Sequence, residues 1–275
     1  MAHSALGVCS WSLQVSNIPD LVRLSAEVGA EVVQVGIGDP THGDWDEGEG
    51  FVAALQASGL ELSGTMIGFP GEDYTSPATI RQSGGFGDPA LRTERLGIFR
   101  YAVDKTAELG LKCLCSHAGF IPEADGPERS SFLDCISEAA QYAADKGVLF
   151  TMETGQETAA LLRRTLDELK LSSLRVNFDP ANMILYDMGN PIEAIEILGA
   201  DIAHVHAKDA NPPQESGQWG EEVPLGEGSV GMAAFVDALD KAGYCGPLVV
   251  EREVGDQQER VAAIKQGISV LRGLA

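Results

Sequence analysis

Short apolar runs alternate with longer amphipathic runs along the whole chain. Eight of the apolar runs have the length and residue types of buried β-strands, and each is bounded by turn residues. These predicted strands are residues 6–11, 31–37, 60–67, 112–117, 148–153, 174–179, 202–207 and 247–252. Between them, apolar residues recur at helical spacing, which predicts helices over ranges such as 19–30, 90–110 and 128–147.

The alternation of strand and helix predicts an α/β fold, a (β/α)8 TIM barrel in a single domain over residues 1–275. Several helical runs close on a glycine, a residue that tolerates the positive φ common at helix ends. These glycines are Gly29, Gly59, Gly110, Gly147 and Gly243. A doubly wound sheet is the alternative, but it usually carries G-x-G-x-x-G after its first strand, where this chain reads CSWSLQVSN.

Two segments between predicted elements are longer than simple connections. Residues 68–89 follow the third strand and residues 208–231 follow the seventh. Both belong to the face of a barrel where the strands end, which is the face that carries function. Loops of this length in a compact domain are typical of lids and binding loops.

Charge and composition restrict the classes of partner. The net charge of −22 argues against a surface that follows phosphate backbones or anionic lipids, so we expect no nucleic-acid and no membrane partner. No apolar run approaches the ~20 residues of a membrane span, and no basic targeting segment precedes the first strand. The five cysteines lie in apolar segments without metal-site spacing, which favours buried structural thiols. We therefore expect a cytoplasmic protein.

Four chemically reactive side chains fall at the ends of the last four predicted strands. They are Glu153, Asp179, His206 and Glu251. In a barrel these strand ends share one mouth, where three carboxylates would repel one another or take up protons. A single divalent cation removes that conflict, and oxygen-rich coordination with one nitrogen suits Mn²⁺, Mg²⁺, Co²⁺ or Zn²⁺.

Structural interpretations of these acidic residues compete with the metal site. Asp179 precedes a proline, so it could serve only as a helix N-cap. Thr154 to Glu157 match the S/T-x-x-E capping box, which makes Glu157 a cap rather than a catalyst. Glu153 and Glu251 have no such explanation, because an acidic residue that closes a buried strand is costly unless it is paired.

The segment IAHVHAKDA at 202–210 contains two histidines that are not equivalent. Alternate side chains of a strand share a face, so His204, His206 and Lys208 point the same way. His206 lies nearer the end of the strand, level with the carboxylates, and we expect it to be the ligand. His204 lies one layer deeper, where it would support the site from below.

The motifs METGQET, NFDPAN, HVHAKD, LGEG and VVERE resemble the xylose isomerase-like TIM barrel superfamily, which includes sugar (phosphate) isomerases and epimerases, and the resemblance covers nearly the whole chain. It implies that Glu153, Asp179, His206 and Glu251 bind one divalent metal. It also implies that Glu153 and Glu251 are the catalytic pair that removes and returns a proton beside a carbonyl. Many members have a substrate-contacting histidine where this chain has Asn182. We expect Asn182 to hydrogen-bond a sugar hydroxyl, but its amide cannot act as a general acid near neutral pH.

Other candidate substrate contacts are His117 at the end of the fourth strand and Lys208, although a packed histidine and a solvated lysine are alternatives. Trp11, Tyr74 and Phe86 could form an apolar wall for a sugar, with core or loop packing as the alternative. No cluster of arginine and lysine appears in the rim loops, so a phosphorylated substrate is not favoured, although backbone amides could still hold a phosphate.

These features favour a metal-dependent isomerase or epimerase that acts on a ketose or related polyol through an enediolate. The alternative is a metal-dependent lyase, a dehydratase or eliminase of keto-sugars or inososes, on the same scaffold. An endonuclease-like hydrolase and a sugar-binding protein with a vestigial site are weaker hypotheses. The sequence leaves a homo-oligomer open, since barrels of this kind often associate.

Overall fold

Eight parallel strands form a closed barrel in the computed structural model, which describes residues 5–38 and 50–274. The barrel strands are β1 (Leu6–Cys9), β2 (Val32–Gly36), β3 (Leu62–Met66), β4 (Cys113–Ser116), β5 (Leu149–Glu153), β6 (Leu174–Phe178), β7 (Ile202–Ala207) and β10 (Leu248–Val250). Leu6 lies opposite Leu248, and this pairing of β1 with β10 closes the barrel. All eight predicted strands are confirmed, and the doubly wound alternative is wrong because the sheet has no open edge there.

Helices follow the strands in the predicted alternation. They are α1 (Ile18–Val28), α2 (Phe51–Ala57), α3 (Pro77–Ser83), α4 (Arg92–Glu108), α5 (Pro127–Asp145), α6 (Ala159–Leu169), α7 (Pro180–Leu185), α8 (Pro191–Leu198), α9 (Met232–Ala242) and α10 (Gln257–Arg272). The local signals are clear in α1, where Asn17 accepts a hydrogen bond from the backbone of Asp20 and Gly29 ends the helix at φ 78°. Gly243 ends α9 in the same way, at φ 80°.

The two long segments contain regular secondary structure and meet each other at the carboxyl end of the barrel. The first contains α3, and the second contains an antiparallel hairpin of β8 (Asp209–Asn211) and β9 (Glu221–Val223). Trp219 in the hairpin donates a hydrogen bond from Nε1 to the backbone oxygen of Tyr74, 3.1 Å away. The prediction that these segments are more than connectors agrees with this contact across the barrel mouth.

Apolar side chains fill the space between the barrel and the helices. Phe99 lies between Phe86 and Phe150, with ring centroids 6.1 and 4.7 Å away. Phe86 is fully buried there, so core packing is correct for this residue and the substrate-facing wall is not. Four cysteines are buried thiols as predicted, but Cys245 is exposed in the turn before β10. Within the described residues, no helix combines the length and the apolar character needed to cross a bilayer.

Candidate active site

Four side chains converge at the carboxyl ends of β5, β6, β7 and β10. Glu153 is the last residue of β5, Asp179 follows β6, His206 is the penultimate residue of β7, and Glu251 follows β10. Each offers one oxygen or nitrogen atom, and these four atoms all lie within 4.8 Å of one another. Parallel strands that end at one rim bring together residues up to 98 positions apart, as the sequence predicted.

His206 is the common neighbour of the three carboxylates. Its Nδ1 atom lies 2.7 Å from Glu153 Oε1, 3.6 Å from Glu251 Oε2 and 3.9 Å from Asp179 Oδ2. All four side chains are buried almost completely. Three acidic groups around one imidazole, shielded from water, form a cluster that needs positive charge to be stable.

The pKa of Asp179 indicates that the cluster lacks positive charge. Burial and the Glu251 and Glu153 carboxylates raise the pKa of Asp179 well above its usual value, although Lys208 opposes the shift. Asp179 Oδ1 accepts a hydrogen bond from the Asn182 backbone, whereas Oδ2 has no hydrogen-bond partner in the described part of the chain. A buried carboxylate oxygen without a partner, aimed at two other carboxylates and an imidazole, fits a divalent cation as its partner.

Hydrogen bonds fix the orientation of His206. Its Nε2 lies 2.5 Å from Gln34 Oε1, and the side-chain amide nitrogen of Asn177 lies 3.2 Å from its Nδ1. The Gln34 amide oxygen can only accept, so Nε2 carries a proton that points at it, while Nδ1 faces the carboxylates with Glu153 Oε1 2.7 Å away. His204 lies one layer deeper, with Nδ1 2.8 Å from Asn177 Oδ1 and Nε2 3.1 Å from Ser63 Oγ. This arrangement leaves His206 Nδ1 available to a cation and places His204 behind the Asn177 amide.

Glu251 is held by donors on both of its oxygens. Trp11 donates from Nε1 to Oε1 at 2.7 Å, and Lys208 donates from Nζ to Oε2 at 3.0 Å. Burial would raise the pKa of Glu251, but Lys208 and His206 outweigh burial and hold it well below its usual range. Lys208 is itself buried and also contacts Glu253 at 2.5 Å, so the alternative of a solvated lysine is wrong.

Glu153 is held on the opposite side of the cluster. His117 lies with Nε2 3.3 Å from Glu153 Oε2, and its Nδ1 is buried without a hydrogen-bond partner among the residues described. Asn182 donates from Nδ2 to Glu153 Oε1 at 3.4 Å and accepts from Lys208 at the same distance. All three side chains predicted to contact substrate, His117, Asn182 and Lys208, therefore lie directly against the two glutamates.

Glu157 does not cap a helix, which corrects the prediction. Helix α6 begins at Ala159, and Thr158 is its N-cap, accepting from the Leu161 backbone. The Thr154 hydroxyl instead bonds to the Asp179 backbone at 2.8 Å. Glu157 is buried, and burial together with Glu153 raises its pKa to about 8. The N-cap interpretation of Asp179 is correct, because its Oδ1 caps α7 while Oδ2 faces the cluster.

Several site residues were missed at the sequence level. Gln34 and Asn177 have amide side chains in the middle of buried strands. A polar residue among apolar neighbours in such a strand is a signal in the sequence that could have indicated a role in the site. Trp11 was expected only as an apolar surface, yet its indole N–H bonds Glu251. Tyr186 and Trp219 pack at 4.7 Å near the mouth, whereas Tyr74 is 46% exposed.

The fold and the site define the class of the protein, a (β/α)8 barrel with a carboxylate-rich cluster at its mouth. Comparison with known proteins gives the family. Residues 22–274 match the family described as "Xylose isomerase-like TIM barrel", and the chain belongs to it. L-ribulose-5-phosphate 3-epimerase UlaE of Escherichia coli (strain K12) is 27% identical over 173 residues, or 61% of this chain. The match spans only 59% of that relative's length.

Two solved structures resemble the whole chain. A xylose isomerase domain protein from Planctomyces limnophilus has a TM-score of 0.88 and 29% identity, covering 98% of this chain and 97% of its own. The apo 3-keto-D-glucoside 4-epimerase YcjR from E. coli has a TM-score of 0.72 and 20% identity, covering 98% and 99%. At 20% identity, the comparison with YcjR shows a shared fold and nothing more.

Proposed function

We propose that the protein is a divalent-metal-dependent epimerase or isomerase of a keto-sugar or related polyol. In this proposal Glu153, Asp179, His206 and Glu251 bind the metal, and Glu153 and Glu251 also transfer the proton. The observation that carries the proposal is the cluster itself. Glu153 at the end of β5 and Glu251 after β10 approach one imidazole nitrogen, beside an aspartate oxygen that has no hydrogen-bond partner among the described residues. The match to L-ribulose-5-phosphate 3-epimerases supports this reaction class.

The two glutamates are equipped for complementary proton transfers. Glu251 is kept ionised by Lys208 and oriented by the Trp11 N–H, so it can accept a proton from carbon. Glu153 is oriented by His117 and Asn182, and it can deliver a proton to the same carbon from its own side. Because epimerisation is reversible, the two carboxyl groups exchange these tasks in the reverse direction.

A bound divalent ion would supply Lewis-acid polarisation of the substrate carbonyl, which makes the neighbouring C–H acidic enough for a carboxylate to remove its proton. The chain supplies the remaining conditions. Trp219 and Tyr186 pack together near the mouth, where apolar rings would limit the access of water to a bound substrate. Asn182, between Glu153 and Lys208, is placed to bind a sugar hydroxyl.

Solvent isotope exchange tests this function. Metal-loaded protein is incubated in D2O with a panel of ketoses, keto-sugars and inososes, and deuterium at the carbon beside the carbonyl is measured by NMR. The proposal predicts exchange with an intact carbon skeleton. Glu153→Gln and Glu251→Gln should each lower the exchange rate by roughly 10²- to 10⁴-fold, while exposed Glu196→Gln on α8 should not change it.

Two outcomes would contradict the proposal. An unsaturated product formed with loss of water would indicate the lyase reaction on the same scaffold. Exchange that persists at nearly the wild-type rate in both glutamine variants would show that these carboxylates do not transfer the proton.

A further inference from the structure

A cavity opens beside the cluster, among the loops that follow β3, β4 and β5. Its volume is about 490 Å³, within the range of ligand pockets, roughly 300–1,000 Å³. The wall includes Arg81, Phe120, Gln156, Glu157 and Met188. None of these residues is needed for the four-ligand cluster, and the cavity lies on the functional face of the barrel.

Two buried acceptors in the wall have no hydrogen-bond partner in the part of the chain that the structure describes. Gln156 is 2% exposed and Glu157 is 5% exposed. The Oε1 atom of each is buried, and neither finds a hydrogen-bond partner within the described ranges. The amide nitrogen of Gln156 donates to the Tyr186 hydroxyl at 3.4 Å, which orients its Oε1 acceptor. Buried acceptors of this kind are normally satisfied, so the pair calls for a ligand that brings hydrogen-bond donors.

The charges around the cavity oppose an anionic ligand. Three lining residues, Asp88, Glu123 and Glu128, carry carboxylate charge, whereas the Glu157 carboxyl group, with its pKa raised to about 8, is mostly neutral near pH 7. Arg81 is the basic residue in the described lining, and its guanidinium lies over the Phe120 ring at 3.9 Å. Arg129 and Arg164 reach the neighbouring loop, but acidic partners already pair with both. A phosphate group, which only accepts hydrogen bonds when ionised, would meet acceptors and like charge.

We propose that this cavity is a substrate subsite for a hydroxyl-bearing, non-anionic part of the sugar, and that the enzyme acts on unphosphorylated substrates. This inference rests on the proposed function and narrows its substrate class. It separates the chain from relatives named for a 5-phosphate substrate. The raised pKa of Glu157, about 8, keeps its carboxyl group protonated near neutral pH, so it can also donate to a sugar oxygen.

The test compares two keto-sugars, L-ribulose and D-fructose, with their terminal phosphate esters. Deuterium exchange and calorimetric binding are measured for each on metal-loaded protein. We expect kcat/KM and affinity to favour each free sugar by at least about tenfold. Glu157→Leu should raise KM for the free sugar roughly three- to tenfold, the loss typical of one hydrogen bond, with metal content and kcat unchanged. Glu157→Gln should restore KM because the amide also donates and accepts, and exposed Glu196→Leu is the control.

The outcomes separate this inference from the proposed function. Exchange that is equal or faster with the phosphate esters would overturn the inference and leave the proton-transfer chemistry intact. An unchanged KM in Glu157→Leu would overturn the role of Glu157 in the same way. A third outcome is that no sugar undergoes exchange, but the free sugars bind preferentially and Glu157→Leu weakens that binding. This outcome would overturn the proposed function and support the subsite.

Discussion

Replacing Lys208 with methionine removes the one ammonium that the described residues place against Glu251. Lys208 is 2% exposed and contacts Glu251 at 3.0 Å, Glu253 at 2.5 Å and Asn182 at 3.4 Å. Methionine keeps the length of the side chain but leaves Glu251 as a buried charge without its cation. Removal of one partner of a buried ion pair costs about 3–5 kcal/mol.

The corresponding shift in melting temperature follows from the length of the chain. For 275 residues the entropy of unfolding is about 0.6 kcal/mol/K, from roughly 2.1 cal/mol/K per residue. Lys208→Met should therefore lower the Tm of protein treated with EDTA by about 5–9 °C. The loss should be smaller with saturating Mn²⁺, because a cation at the cluster offsets the missing charge.

The pH dependence gives an independent check. Lys208 lowers the pKa of Glu251, so in the wild type this carboxylate contributes stability above its unfolded pKa and loses it only in strong acid. In Lys208→Met, burial is the largest influence on Glu251 and is opposed mainly by His206, so it raises the pKa of Glu251 above the unfolded value. Ionisation then destabilises the fold as pH rises through that pKa. The difference in unfolding free energy between variant and wild type should be larger at pH 8 than at pH 5.

Urea unfolding with and without EDTA at the two pH values measures these differences. Lys241→Met is the matched control, because Lys241 pairs with Asp237 on the surface and its side chain is 75% exposed. Its stability should match the wild type within error. A Lys208→Met cost no larger than that of Lys241→Met, or one independent of pH, would refute the claim that Lys208 compensates the buried carboxylates.

Three further substitutions test separate parts of the site. His204→Leu removes the hydrogen-bond donor to Asn177 but no proposed metal ligand. It should weaken divalent-ion binding about 10- to 100-fold in calorimetry, and an unchanged affinity would contradict the supporting role of His204. Trp11→Phe removes the 2.7 Å bond to Glu251, worth about 1.5–3 kcal/mol, and should lower kcat in the exchange assay, whereas an unaltered kcat would argue against orientation by the indole. Gly85→Ala would place a Cβ 2.1 Å from the backbone after β4 at φ 52°, so limited proteolysis should cut the 68–89 loop faster than in wild type.

The positions of the four clustered residues could be predicted because they depend on one regular feature of the fold. Parallel strands end at the same rim, so Glu153 and Glu251 needed only the correct strand boundaries to be placed together. The same alternation distinguished His206 from His204, since side chains two apart on a strand lie in successive layers.

The residues that orient the cluster could not be predicted from short segments of the sequence. Trp11 and Glu251 are 240 positions apart, and Gln34 and His206 are 172 apart. Their contacts exist because β1 pairs with both β10 and β2, a closure that no short segment encodes.

The prediction that Glu157 belongs to a capping box is wrong because the Thr154 hydroxyl has a different partner. The Thr154 hydroxyl is already bonded to the Asp179 backbone, so it cannot cap, and the chain continues to Thr158 before the helix begins.

The metal stoichiometry of the purified protein tests the central claim most directly. Protein stripped with EDTA is titrated with Mn²⁺ in a calorimeter, and bound metal is measured by mass spectrometry for the wild type, His206→Ala and Asp179→Asn. We expect one ion per wild-type chain and a large loss of affinity in both variants. Absence of a stoichiometric ion in the wild type, or full metal content in His206→Ala, would contradict the site.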